Sequence, residues 1–245
     1  MTKTALIVGG TSDIGMATAR LYAARDWTII LAARDLAAAE RNAADLRARG
    51  QGGVHVAVLD ILETAGFQGF LDSLPALPDT VVSLVGDLGD QQKSQADPAF
   101  ASRVLRANFE GPALFLEAVA ERFARRASGV IVGVSSVAGD RGRASNYTYG
   151  SAKAGFTAFL SGLRNRLTGS GVRVVTVKPG FVRTRMTAGM DLPGALTAEP
   201  DQVAQAIWRA AEEGRGEIVY VLWMWRFVML AIRSIPETVF KRLKL

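Results

Sequence analysis

A chain of 245 residues suits a single α/β domain with a sizeable core, and the absence of cysteine removes both a disulfide framework and thiolate chemistry. With one histidine and no cysteine, no transition-metal site is expected. The formal net charge of +6 points to an anionic partner, whether phosphorylated cofactor, anionic substrate or membrane surface; the basic residues are scattered and accompany no nucleic-acid-binding motif.

In chain order, apolar runs bounded by turn residues recur at 5–8, 28–32, 54–59, 81–85, 130–134, 172–177 and 218–222. Their Val, Ile and Leu content predicts strands buried on both faces, as a parallel sheet requires. The histidine, His55, lies in the third run and reads as a satisfied or surface side chain. Alanine-rich segments with helical spacing alternate with the runs, at 14–25, 36–49, 98–126, 149–168 and 201–213. This alternation predicts an α/β fold, a doubly wound parallel sheet of about seven strands over 1–222, followed by a helical extension over 223–245. Met1-Thr2-Lys3 runs directly into the first strand, leaving no room for a signal peptide, and the longest apolar stretch, 218–232, is interrupted by Arg226. The expected location is therefore cytoplasmic.

The first strand closes in Val8-Gly9-Gly10-Thr11-Ser12-Asp13-Ile14-Gly15. Glycines between a strand and a helix let backbone amides approach a diphosphate, and the helix N-terminus adds about half a positive charge. Gly9, Thr11, Ser12, Asp13, Ile14 and Gly15 are thus candidate phosphate contacts, with a plain tight turn as the alternative. The lysine of a nucleotide-hydrolysing loop is missing. Arg34 ends the second strand, where a cation would grip a 2′-phosphate and an acid a free ribose diol; it favours NADP over NAD, with Asp35 pulling the other way. Asp60, ending the third strand, suits either an adenine amine or a helix N-cap.

Tyr149-Gly150-Ser151-Ala152-Lys153 places a phenol and an ammonium one helical turn apart, and a nearby cation favours the phenolate that a general acid/base needs. Thirteen residues earlier, Ser135-Ser136 ends the fifth strand, where a hydroxyl can polarise a carbonyl. Together with the glycine turn these residues resemble the short-chain dehydrogenase/reductase family from end to end. The resemblance implies a Rossmann-type domain, with Ser136 polarising the substrate, Tyr149 as acid/base, Lys153 as ribose-binding partner and Asn108 in a proton relay. It implies further cofactor contacts at Gly86, Pro179, Gly180, Val182 and Thr184, with Tyr147 lining the pocket. It also implies a homodimer or homotetramer through the helices carrying Asn108 and Tyr149. Two departures stand out: Asp13 occupies the place of the family's middle glycine, and Ser83-Leu84-Val85-Gly86 replaces its Asn-Asn-Ala-Gly.

In the tail, Arg226, Arg233, Glu237, Lys241 and Lys244 are spaced as one helix face on an otherwise apolar segment that Pro236 divides. A helix packed on the core or at a subunit interface is one reading. The other is an interfacial helix lying peripherally on the inner face of the membrane. The tail, the loop at 139–147 and Arg183-Thr184-Arg185-Met186 resemble the reductases of decaprenylphosphoryl-2-keto-pentose. That resemblance implies a keto-sugar on a polyprenyl phosphate, with Arg141, Arg143 or Arg185 near the phosphate. A general ketone substrate and a catalytically silent NADP-binding regulator are the alternatives.

Overall fold

The computed structural model describes residues 2–50 and 52–243. Seven parallel strands form one sheet in the order β3-β2-β1-β4-β5-β6-β9. They are β1 (Thr4–Val8), β2 (Thr28–Ala33), β3 (Val54–Val58), β4 (Thr80–Ser83), β5 (Gly129–Val134), β6 (Val172–Lys178) and β9 (Ile218–Tyr220). A second, two-stranded sheet pairs β7 (Phe181–Val182) with β8 (Thr197–Ala198). The order reverses between β1 and β4, and a crevice opens at the carboxyl ends of those strands, where doubly wound folds hold their ligands.

The apolar strands divide their side chains between two cores by the period of two. Leu6, Ile30, Val81, Ile131 and Val174 face α6 (Gly111–Arg126) and α7 (Tyr147–Arg166), against Phe115, Phe123, Phe156 and Leu160. Ala5, Ile7, Ile29, Leu31, Val82, Val132 and Val175 face α1 (Asp13–Ala23) and α8 (Pro200–Ala211), against Met16, Tyr22, Val203 and Ile207. The expectation of burial on both faces fails for β3, the edge strand, whose His55 and Val58 are exposed.

Helix starts follow local chemistry. Ser12 caps α1 by accepting from the Gly15 amide, and Asp35 caps α2 (Leu36–Arg47) by accepting from the Ala38 amide. Asp97 caps α5 (Pro98–Leu105), with Pro98 in the first turn. The single helix expected over 98–126 is interrupted: Arg106–Glu110 forms a π turn between α5 and α6. Asn108 lies in that turn and donates from Nδ2 to the Val104 carbonyl at 2.8 Å, competing with the regular backbone ladder. Two short helices, α3 (Phe67–Ser73) and α4 (Gln91–Ala96), lie outside the segments expected to be helical.

The tail forms α9 (Met224–Ser234) and α10 (Glu237–Phe240), divided at Pro236 as its ring requires. The expected single basic face therefore does not form: Arg233 and Lys241 belong to different segments, and Lys244 lies outside the described residues. Trp225 and Met229 are buried with Val137 against Phe181, Leu196 and Tyr220. Among the described residues no helix is long and apolar enough to cross a membrane.

Phe115 is fully buried and meets Phe67 and Phe70 edge-on, with ring centroids 5.3 and 5.9 Å away. Phe115→Ala is expected to cost about 3–5 kcal/mol in urea unfolding, through lost transfer energy and the cavity left behind. A cost under about 1 kcal/mol would show that this layer repacks freely.

Candidate active site

The crevice is a cleft of about 1470 Å³ that runs from the glycine turn, past the ends of β2 and β3, to the segment after β4. At the turn Gly9 has φ +89°, and a Cβ there would press on the Leu84 backbone at 3.3 Å, so glycine serves both the turn and the close approach of β4. A Cβ on Gly15 would lie 2.4 Å from the Gly9 carbonyl oxygen, so α1 begins hard against the turn. Gly9, Thr11, Ser12 and Asp13 line the cleft. Ser12 and Gly15 close the turn on itself, because the Ser12 hydroxyl donates to the Gly9 carbonyl while accepting from the Gly15 amide. Ile14 packs toward the α1–α8 core.

At the β2 end, Arg34 lines the cleft together with Arg41 from α2. Among the described residues neither is ion-paired. Asp35 also lines the cleft, but its Oδ1 accepts the Ala38 amide at 2.9 Å as the α2 cap, which ties it to the helix. Arg41 was not anticipated from the sequence. Its signal was available, since two helical turns separate it from the strand end that carries Arg34. Asp60 accepts the Leu62 amide at 2.9 Å through Oδ1 and the Glu63 amide through its carbonyl, shaping the turn after β3.

At the β4 and β5 ends, α7 brings Tyr149 and Lys153 beside Ser136. The Ser136 hydroxyl, near enough to the Tyr149 phenol to favour its ionised form, accepts the Ala138 amide at 3.1 Å and donates to the Pro179 carbonyl at 3.5 Å. The two serines divide their work: Ser135 donates to the Lys153 carbonyl at 3.0 Å and meets Thr157 at 2.7 Å, while Ser136 faces the phenol. Lys153 is buried, and its Nζ donates to the carbonyls of Val134 at 3.2 Å and Val85 at 3.4 Å. A Cβ on Gly86 would stand 3.0 Å from Asn108 Oδ1 and 3.3 Å from Lys153 Nζ, so this glycine roofs the lysine. Asn108 is fully buried and grips the Asp87 backbone, accepting from its amide at 3.1 Å and donating to its carbonyl at 2.7 Å.

Burial sets the titration of both groups. It pushes the Tyr149 phenol up to about 12, against a smaller downward pull from the Ser136 hydroxyl. It pulls the Lys153 ammonium down to about 8. The expectation that Lys153 would draw the phenol toward neutral pH is thus outweighed here: Tyr149 holds its proton at pH 7.

Past β6, the Pro179 carbonyl accepts the Val137 amide at 3.0 Å and tethers the segment after Ser136. Gly180 allows Trp225 to lie across it, since a Cβ would fall 2.0 Å from the indole ring. Val182 is buried; its carbonyl accepts the Thr187 hydroxyl, which in turn receives the Thr184 amide at 3.1 Å. Lys178 forms a buried ion pair with Asp140, which also accepts the Tyr220 hydroxyl at 2.9 Å. This cluster was missed in the sequence because its members are 38 and 80 residues apart.

The structure does not bring Arg141, Arg143 and Arg185 together. Arg141 donates to the carbonyls of Ile232, Arg233 and Ile235 at the end of α9, pairs with Glu237 at 2.7 Å and stacks on Phe240. Arg143 is half-buried against Met229, and burial lowers its basicity. Arg185 reaches the glycine turn instead, bonding Asp13 and Thr11. Tyr147 is 46% exposed at the start of α7 and stands apart from the Ser136 cluster.

A family model described as short chain dehydrogenase matches residues 3–192. A protein described as an uncharacterized oxidoreductase of Mycobacterium tuberculosis is 39% identical over 241 residues, which cover 97% of this chain and 96% of the relative. Among solved structures, a short-chain dehydrogenase from Sphingobium yanoikuyae in complex with NADPH superposes with a TM-score of 0.82 at 25% identity, covering 96% of this chain and 97% of that one. A 3-oxoacyl-[acyl-carrier protein] reductase from Brucella melitensis with bound NAD shares the fold, with a TM-score of 0.79 at 24% identity and 89% coverage of each chain. The matched span includes the glycine turn, Ser136, Tyr149 and Lys153, and it ends before the tail. This chain belongs to the short-chain dehydrogenase family of oxidoreductases.

Proposed function

We propose that the protein uses NADPH to reduce a ketone to an alcohol, with Tyr149 as the acid. The observation that carries this reading is the cluster of buried Ser136, half-buried Tyr149 and buried Lys153 next to the segment of the cleft formed by Val85 and Gly86. A nicotinamide dinucleotide phosphate fits the cleft by the chemistry of its lining. Backbone amides and the α1 N-terminus suit the diphosphate. Arg34 and Arg41, neither ion-paired among the described residues, suit a 2′-phosphate, while the carboxylate that would favour a bare ribose diol is engaged in capping α2. When bound, such a cofactor supplies the hydride.

The chain's own residues supply the proton and the polarisation. At neutral pH the Tyr149 phenol is protonated and can give its proton to the oxygen of a reduced carbonyl. The Ser136 hydroxyl, placed against the phenol, can donate to that same oxygen. Lys153, cationic below about 8, stabilises the phenolate that remains. Asn108 holds the Asp87 backbone and so fixes the loop that bounds the site.

A keto-sugar on a polyprenyl phosphate is the narrower form of this proposal, suggested by the likeness of the tail and of the loop at 139–147 to the reductases of decaprenylphosphoryl-2-keto-pentose. Support for an apolar substrate portion or an anionic membrane surface comes from the tail, where Trp223, Phe227 and Leu230 are exposed beside Arg226 and Arg233. A general ketone is the broader form of the same reading. Exposed Leu105, Phe109 and Leu114, on and beside the π turn, support self-association through the helices bearing Asn108 and Tyr149.

Arg34→Ala and Arg41→Ala are each expected to weaken NADPH about ten- to hundredfold in a fluorescence titration while leaving NADH little changed. Equal losses for both cofactors would remove the argument for NADP. Tyr149→Phe is expected to keep NADPH binding while ketone-dependent NADPH oxidation drops about a hundredfold or more. An active Tyr149→Phe beside an inactive Tyr147→Phe would move the acid to the other tyrosine, and a parent that binds NADPH without turning over any ketone would favour a regulator.

A further inference from the structure

We propose that Arg185, mounted on Asp13, is a ligand for the diphosphate of the dinucleotide. The proposal rests on the cofactor reading above and adds to it a residue that the glycine turn does not supply. Asp13 lies in the first turn of α1, at the end of the cleft where the backbone amides await an anion. A carboxylate there opposes a diphosphate by like charge, so the departure from glycine at this position calls for compensation. Arg185 provides it. Its backbone amide donates to Asp13 Oδ2 at 2.7 Å, its Nε donates to Oδ1 at 2.9 Å, and its Nη2 donates to the Thr11 carbonyl at 2.6 Å.

This is more than an exposed ion pair. Arg185 is largely exposed, and a solitary surface pair of that kind carries little energy. Here three bonds to two residues of the turn fix the guanidinium from both the main chain and the side chain. The segment that carries it is itself held, by the Thr184 amide on Thr187 and by Thr187 on the Val182 carbonyl. Arg185 lines the same cleft as Gly9, Ser12 and Asp13. Two of the five guanidinium N–H donors are engaged, and among the described residues Nη1 makes no hydrogen bond, which leaves a preset cation at the mouth of the turn. The Asp13–Arg185 pair thereby turns an unfavourable carboxylate into the bracket for a phosphate-binding arginine.

The diphosphate is common to NADPH and NADH, so the signature differs from that of Arg34. Dissociation constants of the full chain for NADPH, NADH and adenosine 2′-monophosphate, which has no phosphate at the 5′ position, would be measured by calorimetry or fluorescence. Arg185→Ala is expected to weaken both dinucleotides about tenfold or more and to leave the 2′-monophosphate unchanged. In an Asp13→Gly background the same substitution should cost less, since without its carboxylate bracket the guanidinium is no longer held at the turn. NADPH affinity should also fall less steeply with salt in Arg185→Ala than in the parent, a change that a purely structural ion pair would not produce. Unchanged binding of both dinucleotides by a folded Arg185→Ala protein, or loss confined to NADPH, would overturn the proposal while leaving the cofactor reading intact. A parent that binds neither dinucleotide would overturn both.

Discussion

The site depends on burying one ammonium group. Among the described residues Lys153 pairs with no carboxylate; its Nζ is held by the carbonyl of Val134 at the end of β5 and that of Val85 just past β4. Carbonyl dipoles offset only part of the lost hydration, which is why burial pulls this lysine down to about 8. Neighbouring features follow from keeping that pocket closed. Gly86 lacks a side chain because one would strike Asn108 and crowd Nζ. Asn108 fixes the Asp87 backbone, and the π turn sets it off the regular ladder of the long helix. Ser135 ties the Lys153 carbonyl to β5, leaving Ser136 for the phenol. The juxtaposition of Tyr149 and Lys153 is therefore a product of packing at the sheet's carboxyl edge.

The parts of the fold readable in the sequence are those set by local pattern. Seven apolar runs became seven strands because a covered parallel sheet demands apolar residues on both faces, and β3 and β9, with exposed Val58 and Ile218, departed because they lie at the edges. Pro236 divided the tail for the steric reason that proline always imposes. In the candidate site, Ser136, Tyr149 and Lys153 were readable because a strand end and one helical turn bring them together. Arg34 was readable as a strand-end cation. What was not readable depends on distant pairs. Asp13 meets Arg185 across 172 residues, Tyr220 meets Asp140 across 80, and Arg141 meets the α9 carbonyls across more than 90. The π turn did leave a mark that the alanine-rich composition masked: Gly111-Pro112 follows it directly, and a proline inside a helix removes a ladder donor.

These distant contacts join the tail to the chemistry. Arg141 follows the Ser136 segment by five residues and caps α9, where cations meet a helix C-terminus favourably. Trp225 lies on Gly180 and donates to the Leu196 carbonyl at 3.0 Å, while the Lys178–Asp140–Tyr220 cluster fastens the loop before α7 to β6 and β9. Buried pairs of this kind contribute little net stability but cost much when broken, so they act chiefly by fixing geometry. The tail thus packs against the segments that follow Ser136 and β6.

In the proposed reaction one phenol, with the Lys153 ammonium 5.8 Å from its ring, gives its proton in reduction and takes it back in oxidation. The most direct test is the pH dependence of kcat/KM in both directions on one ketone and its alcohol. A phenol held near 12 by burial and a lysine near 8 keep the pair protonated at neutral pH, so reduction should be sustained there and decline on the alkaline side. Oxidation should show the opposite trend, climbing with pH as the same pair loses its proton. Profiles that run in the same sense in both directions would contradict the account.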